Sequence, residues 1–175
     1  ITVSASGRSA DFRAVDIRYD TNGAQFDVLW KDERVPFTTR LLGSHNVLNI
    51  LMAIAVGHVA DLSLRQMSHA IARLEPIEHR LEIKERGGLI VIDDAFNSNP
   101  VGAAGAVEVL GKFEGRRVIV TPGMIELGAE EHALNRAFGG QIASNVDDAV
   151  LVGPERTRPI AEGLISAGFP ESRIH

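Results

Sequence analysis

Cysteine is absent from the 175 residues, which rules out a disulfide framework and thiolate chemistry. That absence suits a reducing cytoplasm, and a cytoplasmic location is the expectation. Long apolar runs are absent as well. None approaches the roughly 20 residues that a membrane helix needs, so no membrane insertion is expected. Positive charge is in deficit: 18 Lys and Arg against 23 Asp and Glu give a formal net charge of −5. That is the wrong sign for a surface that binds nucleic acid or an anionic bilayer. The six histidines (His45, His58, His69, His79, His132 and His175) have no ligand spacing backed by a second ligand, so no metal site is expected. Neither a G-x-x-x-x-G-K-[ST] phosphate loop nor a G-x-S-x-G nucleophile elbow occurs. What remains is 45% apolar and 23% charged, the balance of a folded chain with length for one ordinary domain or two small ones. It opens on Ile1 without a signal-peptide pattern and stops at Ile174-His175, where a strand is due. It reads as an excerpt of a longer polypeptide.

The hydrophobic rhythm changes twice along the chain. Alternation at Phe12, Ala14, Ile17 and Tyr19, and again at Phe26, Val28 and Trp30, predicts strands, with a third over Val35–Leu42. Asn22-Gly23 between the first two supplies the positive φ angles of a hairpin turn. After Gly43, with Ser44 as N-cap, Val47, Leu48, Ile50, Leu51 and Ile54 recur at helical spacing to about Gly57. A second helix is predicted over Ser63–Leu74, stopped by Pro76. From Gly87 onward, three short apolar strands alternate with helices. The strands are Leu89–Ile92, Val118–Val120 and Ala149–Val152; the helices lie near 101–110, 130–144 and 158–167. That order predicts an α/β fold: a small antiparallel sheet with helices, then a Rossmann-like parallel sheet whose strands are buried on both faces. The boundary falls within Glu82–Gly88 and is drawn at 84/85, giving domains 1–84 and 85–175.

Ligands of open parallel sheets bind beyond the carboxyl ends of the strands. The first such turn, Asp93-Asp94-Ala95-Phe96-Asn97-Ser98-Asn99-Pro100, carries two carboxylates and two carboxamides. These groups suit ribose hydroxyls, a metal ion or an amino-acid ligand; Asp and Asn also cap helices and stabilise turns. The second, Thr121 to Gly128, offers Glu126 as a partner for an ammonium group, or is a plain loop. In the first domain His45, Asn46 and Asn49 cluster at a helix amino end, where free N–H groups attract phosphate and side chains reach a purine edge. Asn there equally serves as a cap. His79-Arg80 lies just before the boundary; a guanidinium matches phosphate oxygens with paired bonds, and a solvated ion pair is the other reading.

The order of these segments resembles the Mur ligases. Gly43-Ser44-His45-Asn46-Val47-Leu48-Asn49 is similar to their G-x-H-N-x-x-N, and His79-Arg80-Leu81-Glu82 to the H-R-L-E that closes their central domain. Asp93 to Pro100 resembles the D-D-x-[YF]-N-x-N-P that opens their C-terminal domain. Met124-Ile125-Glu126-Leu127-Gly128 with His132 resembles the M-x-E-L-G…H of the branch that adds D-alanyl-D-alanine to UDP-N-acetylmuramoyl-tripeptide. The resemblance implies the end of a central ATPase domain followed by most of a C-terminal domain. Such enzymes use ATP to make an acyl phosphate that an amine attacks. By position, His45, Asn46 and Asn49 lie near adenine and Arg80 approaches the phosphates as the catalytic candidate. Asp94 binds ribose hydroxyls across the domain cleft, and Asn97, Asn99 and Glu126 bind the dipeptide. UDP-N-acetylmuramoyl-peptide and D-alanyl-D-alanine are the implied partners, ATP the cofactor and a monomer the expected state.

The family's phosphate loop, its modified lysine and the carboxylate and histidine that hold Mg2+ lie upstream in complete chains. This chain alone is therefore expected to make no peptide bond. Thr121-Pro122-Gly123 also departs from the glycine-aspartate of many relatives. Two alternatives stay open: a Mur-like ligase with another amine substrate, and a nucleotide-binding domain that catalyses nothing.

Overall fold

The computed structural model describes residues 1–96 and 98–175, so Asn97 lies outside the described residues. It divides into two compact units, Ile1–Asp94 and Ala95–His175.

In the first unit β1 (Val3–Ser4) runs parallel to β2 (Phe12–Asp20), which continues antiparallel through β3 (Gly23–Trp30) and β4 (Glu33–Thr39). Alternate residues of this sheet point inward: Phe12, Ala14, Phe26, Val28, Val35 and Phe37 are buried. The β2–β3 turn differs from the expected Asn-Gly geometry. Its two loop residues are Thr21 and Asn22, because Asp20 pairs with Gly23. Only Gly23 has positive φ, at 122°, and a Cβ there would collide with the Thr39 carbonyl oxygen. The glycine is thus required by the neighbouring strand rather than by the turn.

Two helices cover the inner face. Helix α1 (Ser44–Val59) buries Val47, Ile50, Leu51 and Ile54, and α2 (Leu64–Ile71) buries Leu64, Met67 and Ile71. Each large side chain of this core contributes about 1.5–3 kcal/mol through burial. Helix α2 starts with a reciprocal cap, Ser63 accepting from the Gln66 N–H while the Gln66 side chain accepts from the Ser63 N–H. The start of α1 corrects the sequence reading: the N-cap is Gly43, with φ 93°, and no side chain caps the helix.

The unit ends in a hairpin of β5 (Glu82–Arg86) and β6 (Leu89–Asp93). Leu89–Ile92 was expected as a strand buried within a parallel sheet. Instead it pairs antiparallel with β5, and Leu89, Ile90 and Val91 are exposed. The physical reason is Gly87-Gly88. With φ of 59° and 79° they form the two-residue turn whose twist matches paired strands.

The second unit is α/β. Helix α3 (Pro100–Leu110) leads to β7 (Val118–Thr121), then α4 (Glu131–Ala143), β8 (Asp148–Leu151) and α5 (Pro154–Ser166). Strands β7 and β8 are parallel, and Ile174 forms a further parallel bridge to Ala149. The parallel sheet expected of the C-terminal region is therefore present. Helix α5 begins at Pro154 rather than near 158, because Gly153 at φ 86° turns the chain and Pro154 suits the first helical turn. Helices α4 and α5 cross with their backbones touching. A Cβ on Gly139 would strike the Ile160 carbonyl oxygen, and one on Gly163 would strike that of Arg136.

Candidate nucleotide site and the Thr121–Gly128 loop

The first unit gathers three segments that are far apart in sequence. Gly43 precedes α1, and its missing Cβ makes room for the neighbours. A Cβ would lie 2.7 Å from His45 Cε1 and 3.0 Å from Leu81 Cδ1. The His45 ring and the His79–Leu81 segment thus close on the same backbone atom. Leu81 in turn donates its N–H to Asp94 Oδ1 at 3.2 Å. Burial pushes the Asp94 carboxyl above its ordinary value, an effect partly offset by the Leu81 N–H and by the nearby His45 and Arg80. His45, Arg80 and Asp94 are therefore one electrostatic neighbourhood.

Asn46 and Asn49 differ in what they do. Asn46 Nδ2 donates to the Leu42 carbonyl at 2.8 Å and so holds the turn that enters α1. Asn49 is exposed one helical turn beyond His45. With no side-chain cap on α1, its first turn presents donors of the kind that bind anions or a purine edge.

The approach to Asp94 is cross-linked by charge. His79 Nδ1 lies 2.9 Å from Asp93 Oδ2, Lys84 Nζ lies 2.6 Å from the same oxygen, and Lys84 Nζ lies 3.1 Å from Glu82 Oε2. The His79 N–H donates to Glu82 Oε2 at 3.2 Å. Lys84 holds the Glu82 carboxyl below its usual range, and Asp93 and Glu82 raise the Lys84 ammonium above its own. His79, Glu82 and Asp93 offer ligand atoms within 4.8 Å of one another. The Lys84 ammonium already pairs with both carboxylates and the third donor is an imidazole, so the set does not suit Mg2+, which prefers oxygen ligands. His79 and Leu81 have φ of 61° and 49°, a left-handed conformation that side chains other than glycine adopt only under constraint.

In the second unit the Thr121–Gly128 loop is pinned by a residue the sequence reading missed. Asn135, 1% exposed on α4, accepts from the Met124 N–H and donates to the Met124 carbonyl, both at 2.9 Å, and donates to the Glu131 carbonyl at 3.0 Å. Its position in the buried stripe of α4 with Phe138, Gly139 and Ile142 was the available signal. Glu126 projects from this loop, exposed, at φ 64°. Thr121 Oγ1 accepts from the Gly123 N–H at 3.1 Å, so Thr121-Pro122-Gly123 forms a side-chain-supported turn. His132 does not join the loop; it is exposed, with Nε2 3.6 Å from Glu162 Oε2. Asn99 caps α3, its Oδ1 accepting from the Gly102 N–H at 2.9 Å. Asn97 is outside the described residues. A shallow depression lined by Asp11, Arg13, Trp30 and Lys31 holds none of these residues.

The same two regions match known domains. The glutamate ligase domain of Mur ligases matches residues 79–175, and the Mur ligase middle domain matches residues 1–57. The chain belongs to the Mur ligase family. Along 97% of its length this family member is 29% identical to the UDP-N-acetylmuramoyl-tripeptide–D-alanyl-D-alanine ligase of Bacillus subtilis, of which it spans 37%. It is also 42% identical, over 63% of its length, to the UDP-N-acetylmuramate–L-alanine ligase of Deinococcus radiodurans, covering 23% of that protein. Its fold is shared with the MurF ligase of Thermotoga maritima solved in complex with ADP. The TM-score is 0.78 at 18% identity, over 95% of this chain and 37% of that one. This Mur ligase chain thus spans well under half the length of the relatives it matches.

Proposed function

We propose that the chain supplies the adenosine-facing edge and the acceptor-binding unit of an ATP-dependent ligase. That ligase joins D-alanyl-D-alanine to UDP-N-acetylmuramoyl-tripeptide. The observation that carries this is the convergence of Gly43-His45, Arg80-Leu81 and Asp94 within one compact unit. The near-complete alignment with the Bacillus subtilis ligase supports the acceptor, and the ADP-bound fold relative supports the nucleotide. We assign residues 1–84 to the ATP-binding domain and 85–175 to the C-terminal domain.

In the reaction, a carboxylate oxygen of the tripeptide attacks the γ-phosphorus and ADP leaves. The dipeptide amine then attacks the acyl carbon, phosphate departs, and the amine loses a proton. Arg80 pairs with the phosphate oxygens as charge moves onto the leaving group. The Asp94 carboxylate accepts from ribose hydroxyls. His45 and Asn49 lie against adenine, and Asn46 keeps that helix start in place. Glu126 meets the dipeptide ammonium, and Asn99 retains its Nδ2 donors for the carboxylate while its oxygen caps α3. Mg2+ would be held by residues outside this chain and would supply charge to offset that of the phosphates. Closure around the acyl phosphate excludes water that would hydrolyse it.

A second reading, L-alanine as the amine, is favoured by the higher local identity to the Deinococcus radiodurans ligase. Phosphate release by the complete ligase, assayed with each amine and its UDP-sugar carboxylate substrate, separates the two. Release that depends on D-alanyl-D-alanine is expected. Release with L-alanine alone would overturn the first reading. The isolated 175-residue chain is expected to release none.

A further inference from the structure

We propose that Lys84, with its partners His79, Glu82 and Asp93, is a positioning group that sets nucleotide affinity by holding Arg80 and Asp94 in register. This rests on the nucleotide reading above. The sequence arrangement is direct: His79 immediately precedes Arg80, and Asp93 immediately precedes Asp94. Glu82 and Asp93 are facing partners at the open end of the β5–β6 hairpin. Lys84, two residues into β5, spans both carboxylates, and His79 reaches each of them, through its ring to Asp93 and through its backbone N–H to Glu82. Arg80 and Asp94 are thus each one peptide bond from a cross-linked residue. The Leu81 N–H bond to Asp94 adds a further tie between the two segments.

The geometry needs such a restraint. His79 and Leu81 both occupy left-handed backbone positions, with Arg80 between them, and such residues relax unless their surroundings hold them. Taking away the Lys84 ammonium leaves Glu82 and Asp93 facing each other as like charges beside Asp94. The hairpin mouth then widens, and the guanidinium and carboxylate lose their common spacing. Half-exposed ion pairs add little to folding stability. The contribution of this one is geometric, so affinity and stability should separate.

The test is a calorimetric titration of the complete ligase with ADP. Lys84→Met is expected to weaken ADP binding about fivefold or more, with an unchanged melting temperature, and Lys84→Arg to recover most of the loss. In a cycle with Asp94→Ala, Lys84→Met should cost less than it does alone, because partners acting through one another are not additive. Glu82→Gln, which removes one arm of the bridge while Lys84 keeps Asp93, serves as a second variant if Lys84→Met fails to fold, with a smaller loss expected. If Asp94→Ala weakens ADP while Lys84→Met and Glu82→Gln do not, or if the losses add, the positioning role is overturned and the nucleotide reading stands. If Asp94→Ala and Arg80→Ala both leave the ligase's ADP affinity unchanged, the nucleotide reading falls and this proposal with it.

Discussion

Asn135 grips Met124 by both of its backbone groups, accepting from the N–H and donating to the carbonyl, each at 2.9 Å. A side-chain amide used in this way acts like a piece of β-ladder placed inside a helix. Truncation leaves two buried main-chain groups without partners. Asn135→Ala is expected to lower stability by about 1–3 kcal/mol, read from urea unfolding. Amide exchange should quicken at Met124 and Leu127 before it does in α5. A variant with wild-type stability and an unchanged exchange pattern would refute the clamp.

The crossing of α4 and α5 allows no side chain at its centre. Gly139→Ala places a methyl group against the Ile160 carbonyl, and backbone yields less readily than a flexible side chain. The expected loss is about 1–3 kcal/mol, against a gain of about 0.5–1 kcal/mol for Gly140→Ala, a helical position where a Cβ meets nothing. Thermal melts of the two variants side by side provide the comparison.

Asp148 should make the second unit sensitive to acid. The Arg116 guanidinium grips its carboxylate through two nitrogens, at 2.8 and 2.9 Å, and His175 adds a weaker contact. Together they hold it down from 3.8 to about 2. A depressed carboxyl stabilises the fold above its unfolded value, and that stability is lost as pH falls through the folded one. Stability should therefore decline between about pH 4 and pH 2, and Arg116→Ala should flatten that decline. Unfolding curves across this range that are identical for the two proteins would contradict the assignment.

Asp94 has the opposite sign. Burial raises its carboxyl, so its charge opposes folding once pH rises through the elevated value, and there is no such cost below the unfolded one. Asp94→Asn should leave neutral-pH stability equal or slightly higher, yet weaken ADP binding about tenfold, the loss of a hydrogen bond to a charged acceptor. Calorimetry and melting of the same sample read both quantities. Equal ADP affinity would remove Asp94 from the ribose.

How much the sequence disclosed depended on whether the deciding force was local. Alternation along Phe12–Trp30 and the helical spacing from Val47 to Ile54 identified their elements, since burial of one face imposes the period. Pro100 and Asn99 mark the start of α3 for the same local reason, and the Asn99 cap uses only its side-chain oxygen. Leu89–Ile92 misled because an unbroken apolar run does not say what will pair with it. Gly87-Gly88 decides the hairpin, and a glycine pair in sequence reads equally as a tight turn or a linker. At Gly43 the cap was misassigned to Ser44, because the demand for a bare α-carbon comes from His45 and Leu81, the latter 38 positions along the chain. The order of the motif residues, by contrast, led directly to the family, and the structure brings His45, Arg80 and Asp94 into one neighbourhood.

The split after Asp94 has an evolutionary corollary. The groups we assign to the nucleotide fall on one compact body, and Glu126 with its Asn135 clamp falls on the other. On the proposed assignment of Glu126 to the amine, mutations that retune which amine is used can accumulate in the Thr121–Gly128 turn while the first unit keeps its shape. A lineage of ligases built on this plan can diversify its acceptors without reinventing how it holds its energy source.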